Sequence, residues 1–136
     1  ELGNGPDVLW CMTNGQYLIL EAKSRATHTE ITRDNINQLL GSEEWFKRQY
    51  PDKVNSYYAV TLQHTNKKGD KVNPSAQTKV LDLPSLEKLQ ENLRQFGQAL
   101  QGKATNSHTD SEIKQLLVTY KLTPELFTSS YLRDLK

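Results

Sequence analysis

Cysteine is almost missing from this chain: Cys11 is the single one in 136 residues. One thiol can close neither an internal disulfide nor a multi-cysteine zinc site, and it suits a reducing compartment. Placed between Trp10 and Met12, it reads as a small apolar residue rather than a reactive one. Long apolar runs are missing too, and no basic-then-apolar leader opens the chain. No membrane partner is therefore expected, and the expected location is cytoplasmic. Net charge is also lacking: 17 basic against 16 acidic side chains leave +1, so any nucleic-acid surface must be local. There is no Gly-rich phosphate loop and no nucleophile elbow, which sets aside an ATPase or a serine hydrolase within this chain. The three histidines, His28, His64 and His108, stand in polar segments without metal-ligand spacing.

What the chain does contain is organised around its start. Gly5-Pro6-Asp7-Val8-Leu9-Trp10 and Tyr17-Leu18-Ile19-Leu20-Glu21-Ala22-Lys23 are two apolar runs on either side of Asn14-Gly15. Asn-Gly between such runs is a strong β-hairpin signal. Side chains alternate along a strand, so Glu21 and Lys23 share a face and Ala22 points away. Antiparallel pairing brings the start of the first strand beside the end of the second, so Asp7 is expected near Glu21 and Lys23. Two carboxylates and an ammonium then meet at one end of an apolar ribbon.

A helix is predicted from about Thr32 to Tyr50, with Thr32 as N-cap and Asp34 in the first turn. Ile36, Leu39, Leu40, Phe46 and Tyr50 form its apolar stripe. Glu43 falls inside that stripe, so it is expected at a rim or paired with Lys47. Asp34, Gln38, Gly41 and Trp45 line a second face. Glycine costs about 1 kcal/mol against alanine inside a helix, so close approach of another group to the backbone is expected at Gly41. That face is expected to pack on a loop or partner or to overlook the site.

Further on, Tyr57 to Leu62 reads as a buried strand, His64 to Ala76 as a solvated, mobile loop, and Thr78 to Leu83 as a short strand. Leu86, Leu89, Leu93, Phe96 and Leu100 predict a helix over about 84–101. Gly102 to Thr109 reads as a linker, followed by helices over about Ser111 to Lys121 and Pro124 to Leu135. The order implies an α/β fold with a small mixed β-sheet flanked by helices. The expected organisation is a core over residues 1–101 with a short helical extension of the same domain over 102–136.

Pro6-Asp7 with Glu21-Ala22-Lys23 resembles the PD-(D/E)xK, restriction-endonuclease-like, nuclease superfamily. Asn37-Gln38-Leu39, Gly41-Ser42 and Trp45-Phe46 add a looser resemblance to nuclease-like domains appended to bacterial superfamily 2 helicases. The resemblance covers residues 5 to about 46 and implies a metal-dependent nuclease, with DNA the expected substrate ahead of RNA. By the same resemblance Asp7, Glu21 and Lys23 are catalytic, and Asp7, Glu21 and the Ala22 carbonyl bind metal. Gln38 and Arg25 would position the substrate. Oxygen ligands favour Mg²⁺, with Mn²⁺ as a substitute. Relatives of this kind carry a helix before the hairpin that is absent here. With Glu1 in place of a methionine, that absence leads to the expectation of a piece of a longer chain, or of a helicase partner. The alternative from a different class is a non-catalytic module of the same fold that binds nucleic acid or docks a partner.

Overall fold

The computed structural model describes residues 5–23, 28–102 and 108–136. The chain divides into two compact units, Glu1–Leu83 with Leu132–Lys136, and Pro84–Tyr131. Arg25, expected to position substrate, lies outside the described residues.

The first unit opens with the hairpin. β1 (Val8–Cys11) and β2 (Tyr17–Ala22) pair antiparallel, Val8 opposite Leu20 and Cys11 opposite Tyr17. Met12 N–H donates to the Gln16 carbonyl at 2.8 Å and Gly15 N–H to the Met12 carbonyl at 2.9 Å, leaving a three-residue loop between Met12 and Gln16. Such a loop needs a left-handed residue, and Gly15 supplies it at φ 79°.

Helix α1 (Arg33–Gln49) follows, then a single 3₁₀ turn (Pro51–Lys53), β3 (Tyr57–Gln63) and β4 (Thr78–Asp82). The sheet order is β1-β2-β3-β4, with β2, β3 and β4 parallel to one another. The fold is α/β with a small mixed sheet, as the sequence predicts. Thr32 caps α1 reciprocally: its Oγ1 accepts from Asn35 N–H and the Asn35 Oδ1 accepts from Thr32 N–H, both at 3.3 Å.

Ile19, Leu39, Phe46, Tyr57 and Ala59 form a buried cluster where α1 covers β2 and β3, with Leu9, Tyr17, Trp45 and Tyr50 packed around it. Phe46 is its centre, 5.1 Å from both Tyr50 and Tyr57 and 5.3 Å from Tyr17 between ring centroids. Full burial of such a side chain contributes about 1.5–3 kcal/mol. A second cluster joins Ile31, Ile36, Val72 and Val80.

Three sequence expectations are corrected here. Glu43 neither sits at a rim nor pairs with Lys47: it is 1% exposed. Its carboxyl accepts from Tyr57 Oη at 2.9 Å and Ser75 Oγ at 2.7 Å, while Lys47 reaches Glu44 at 2.8 Å. The stretch after β3 is more than a solvated loop. Ile31 N–H donates to the Lys67 carbonyl at 2.7 Å, Gly69 N–H to the Ile31 carbonyl at 3.0 Å, and Val72 is buried. It carries the chain across to a parallel neighbour and is anchored on the way at Lys67, Gly69 and Val72. Finally, the last helix ends at Tyr131 rather than Leu135. Arg133 exchanges both backbone hydrogen bonds with Val80 at 2.8 Å, covering part of the outer edge of β4.

The second unit comprises α2 (Leu83–Gln101, from Pro84), α3 (Asp110–Thr119, capped by Thr109) and α4 (Pro124–Tyr131). Tyr131 is buried there, accepting from Asn92 Nδ2 at 2.6 Å and donating to the Tyr120 carbonyl at 3.1 Å. Among the described residues no helix is long and apolar enough to cross a membrane.

The Glu43 arrangement gives a direct stability prediction. Tyr57→Phe keeps the ring and removes one donor to a buried carboxyl, which should cost about 1–3 kcal/mol in urea unfolding. Lys47→Ala, at an exposed ion pair, should cost less than about 1 kcal/mol. The reverse ranking would return Glu43 to the surface pair that the sequence suggests.

Candidate active site

The hydrogen-bond alternation of the hairpin decides what lies at its open end. Met12 and Gln16 bond across the turn, so Trp10 with Leu18, and Val8 with Leu20, belong to the same hydrogen-bonded class. Continuing the register sets Asp7 opposite Glu21 as a closer, non-hydrogen-bonded pair, both side chains on one face. It sets Pro6 opposite Ala22. Proline has no N–H to offer the Ala22 carbonyl. The Ala22 N–H, in turn, is taken by the Asp7 carboxylate, whose Oδ2 accepts it at 2.9 Å. The backbone ladder thus stops at Val8, and a side-chain oxygen continues it for one step.

Glu21 faces α1 and is 2% exposed. Ser42 Oγ donates to its Oε1 at 2.5 Å and Gln38 Nε2 to its Oε2 at 3.0 Å. Lys23 Nζ donates to the Gln38 Oε1. The amide orientation of Gln38 follows from chemistry: its oxygen meets an ammonium and its NH₂ meets a carboxylate. Lys23, Gln38, Glu21 and Ser42 therefore form one connected chain, with Asp7 beside Glu21.

Burial pushes the Glu21 carboxyl above the usual carboxylate range. The Ser42 hydrogen bond opposes that shift, the charge and hydrogen bonding of Asp7 add to it, and the Lys23 charge opposes it. Like charges placed opposite across a hairpin destabilise it, so the fold keeps this pair at a cost.

The structure thus brings together Asp7, Glu21, Ala22, Lys23 and Gln38. Ser42 is the residue the sequence reading missed. The available signal was its place one helical turn after Gln38, on the face turned toward the end of β2. Close approach at Gly41 is not found: a Cβ there would meet nothing within 4 Å among the described residues. Gly41 instead lines a cleft of about 470 Å³ with Gly5, Glu21, Gln38, Ser42, Glu44 and Arg48. Trp45 packs on the chain just before Asp7, its ring 3.3 Å from where a Gly5 Cβ would sit.

Among the described residues there is no group of three His, Cys, Asp or Glu side chains suited to a metal ion. The donor set at the hairpin end is two carboxylates and a backbone carbonyl facing proline. Glu21 accepts from Ser42 and Gln38 and is hydrogen-bonded to Asp7; a carboxylate has about four acceptor positions, so not all are taken. All of these are hard oxygens, which fit Mg²⁺ or Mn²⁺ rather than a thiophilic ion. Comparison with protein-family profiles, curated proteins and solved structures found no match for this chain. Its function is therefore argued from the site.

Linkage fixes the sign of one prediction. With the folded pKa of Glu21 raised, the folded state holds the proton more tightly than the unfolded chain does. Stability should fall as pH rises from the ordinary glutamate value of 4.5 through the raised folded value. Glu21→Gln, which keeps shape and removes charge, should raise the melting temperature at pH 7 in metal-free buffer. The gain should vanish as the pH drops below about 4. A lower melting temperature at pH 7 would mean that Glu21 is held chiefly as a stabilising ion-pair partner.

Proposed function

We propose that this chain is a metal-dependent nuclease domain that hydrolyses phosphodiester bonds, with DNA ahead of RNA as substrate. The observation carrying the reading is the shared end of the hairpin: the buried Glu21 carboxylate, with Asp7 opposite and Lys23 linked through Gln38. The sequence pattern there resembles that of the PD-(D/E)xK superfamily, and a site of two carboxylates and a lysine suits its chemistry. Asp7, Glu21 and the Ala22 carbonyl would hold Mg²⁺, which supplies charge neutralisation at the phosphate and a more acidic water. A buried carboxylate fixed by Ser42 and Gln38 is already oriented, so no rotamer entropy is lost when the site fills. Lys23 places its ammonium beside the developing charge, where a fixed donor strengthens as water is excluded. Gln38 holds both groups and positions them without itself reacting. A domain of this kind would work in the cytoplasm, beside the remainder of a longer chain or a helicase partner.

The test uses the purified chain with supercoiled plasmid, linear duplex and single-stranded DNA and RNA, in Mg²⁺, Mn²⁺ or EDTA. Cleavage should require the metal and fall at least about 100-fold in Asp7→Asn, Glu21→Gln and Lys23→Met. Gln38→Ala should lose about 10–100-fold while its metal affinity, followed by calorimetry, changes little. Nucleic-acid binding without cleavage would favour the non-catalytic module. Absence of both would remove the nuclease reading.

A further inference from the structure

The cleft beside Glu21 extends along α1 beyond any residue that touches Asp7, Glu21 or Lys23. Gly41 and Arg48 line it, seven residues apart on one helix face, which places them about 10 Å apart along the axis. Gly41 lies well inside a 17-residue helix, where glycine is the poorest former after proline. Nothing in the fold accounts for it there. Among the described residues Gly15, not Gly41, is the glycine with positive φ. A Cβ at Gly41 would meet no described atom within 4 Å, so packing does not require a bare backbone either. The bare position faces the cleft, between the Glu21 ligands Gln38 and Ser42 and the exposed Arg48.

We propose that this stretch of α1 is the track for the substrate's sugar–phosphate backbone, with Gly41 leaving room for it and Arg48 gripping a phosphate away from the one attacked. The proposal rests on the nuclease reading and adds to it the course of the strand and a positioning residue. Arginine suits the role because its planar fork matches phosphate oxygens in pairs. Such a contact sets register and carries no sequence information. The Glu44 carboxylate on the same wall is bonded to Lys47 at 2.8 Å. That hydrogen bond first, then the Lys47 charge and the smaller effect of Arg48, hold its carboxyl below the usual range. With Glu44 paired to Lys47, Arg48 is the cation among the described residues that lines that end of the cleft.

Binding of a fluorescent duplex and a single-stranded oligonucleotide, in Ca²⁺ to suppress cleavage, tests this beside cleavage in Mg²⁺. Gly41→Leu grows into the track from a Cβ position that meets no described atom within 4 Å, and leucine is the better helix former, so its melting temperature should equal or exceed that of the wild type. Its affinity and its cleavage should each drop at least 10-fold, with Mn²⁺ binding by calorimetry unchanged; Gly41→Ala should fall between. Arg48→Ala should weaken binding about 5-fold and flatten the salt dependence by about 0.9 in the log–log slope, as for one lost duplex phosphate contact. Arg48→Lys should restore part of it. Wild-type affinity and cleavage in both Gly41→Leu and Arg48→Ala would overturn the track and leave the nuclease reading intact. A wild-type chain that neither binds nor cleaves would remove both. Binding without cleavage, lost in Gly41→Leu, would keep the track and remove the nuclease.

Discussion

A carboxylate kept almost dry at the end of β2 is the constraint on which the first unit turns. Burying Glu21 carries a penalty that a leucine at the same place would not. It is tolerated because Ser42 and Gln38, one turn apart on α1, each donate to one of its oxygens. Those bonds require α1 to lie across β2 in one rotation only. The Phe46 cluster fixes that rotation from the other end of the helix, through ring contacts to Tyr17 on β2 and Tyr57 on β3. Polar and apolar ends of the same interface therefore demand the same helix placement, and consistency of that kind is what gives a sequence a single folded state.

The buried carboxyl of Glu43 does different work from Glu21, and the contrast separates structure from site. Glu43 meets only neutral hydroxyls, from Tyr57 on β3 and Ser75 before β4, and it ties three segments together away from the cleft. Glu21 meets a second carboxylate and an ammonium, lines the cleft, and has a raised pKa that burial and Asp7 both support. A polar group held for packing is surrounded until satisfied. On the proposed reading Glu21 is held for chemistry, and such a group keeps an electrostatic conflict that packing alone would not retain.

The legible parts of the sequence were those whose signals are local. Asn14-Gly15 between two apolar runs specified the hairpin, and Thr32 with the 3.6-residue stripe specified α1 to within a residue at each end. Alternation placed Glu21 and Lys23 on one face, and Lys23 does reach Gln38, which holds Glu21. The illegible parts depended on partners far away in the chain. Glu43 in an apolar stripe makes sense only once Tyr57 and Ser75 are beside it. Phe127, Tyr131 and Leu135 repeat at helical spacing, yet the open edge of β4 captured Arg133 and ended the helix at Tyr131. Gly41 was read as a close contact because intramolecular packing is the usual reason for a helical glycine. Here a Cβ would meet no described atom within 4 Å, and the position lines the cleft instead.

The point at which the hairpin ladder stops ties these strands of argument together. Had β1 run two residues further with an ordinary amide at position 6, the Ala22 carbonyl would have gained a backbone donor and Asp7 would have been one more edge residue. Proline ends the ladder by lacking that donor. The Asp7 carboxylate then takes up the Ala22 N–H at 2.9 Å, which anchors Asp7 while its other oxygen stays outside that bond. Hard oxygens are gathered at a position where the sheet has no further use for them, beside a cleft whose wall is the helix that already holds Glu21. On the proposed reading, two carboxylates and one carbonyl leave a six-coordinate ion about half its positions for water and a phosphate oxygen. A more complete cage of protein ligands would bind an ion more tightly and would have no room for a substrate. The sparseness of the donor set is therefore what a hydrolytic site requires, and it follows from where a single proline interrupts a strand.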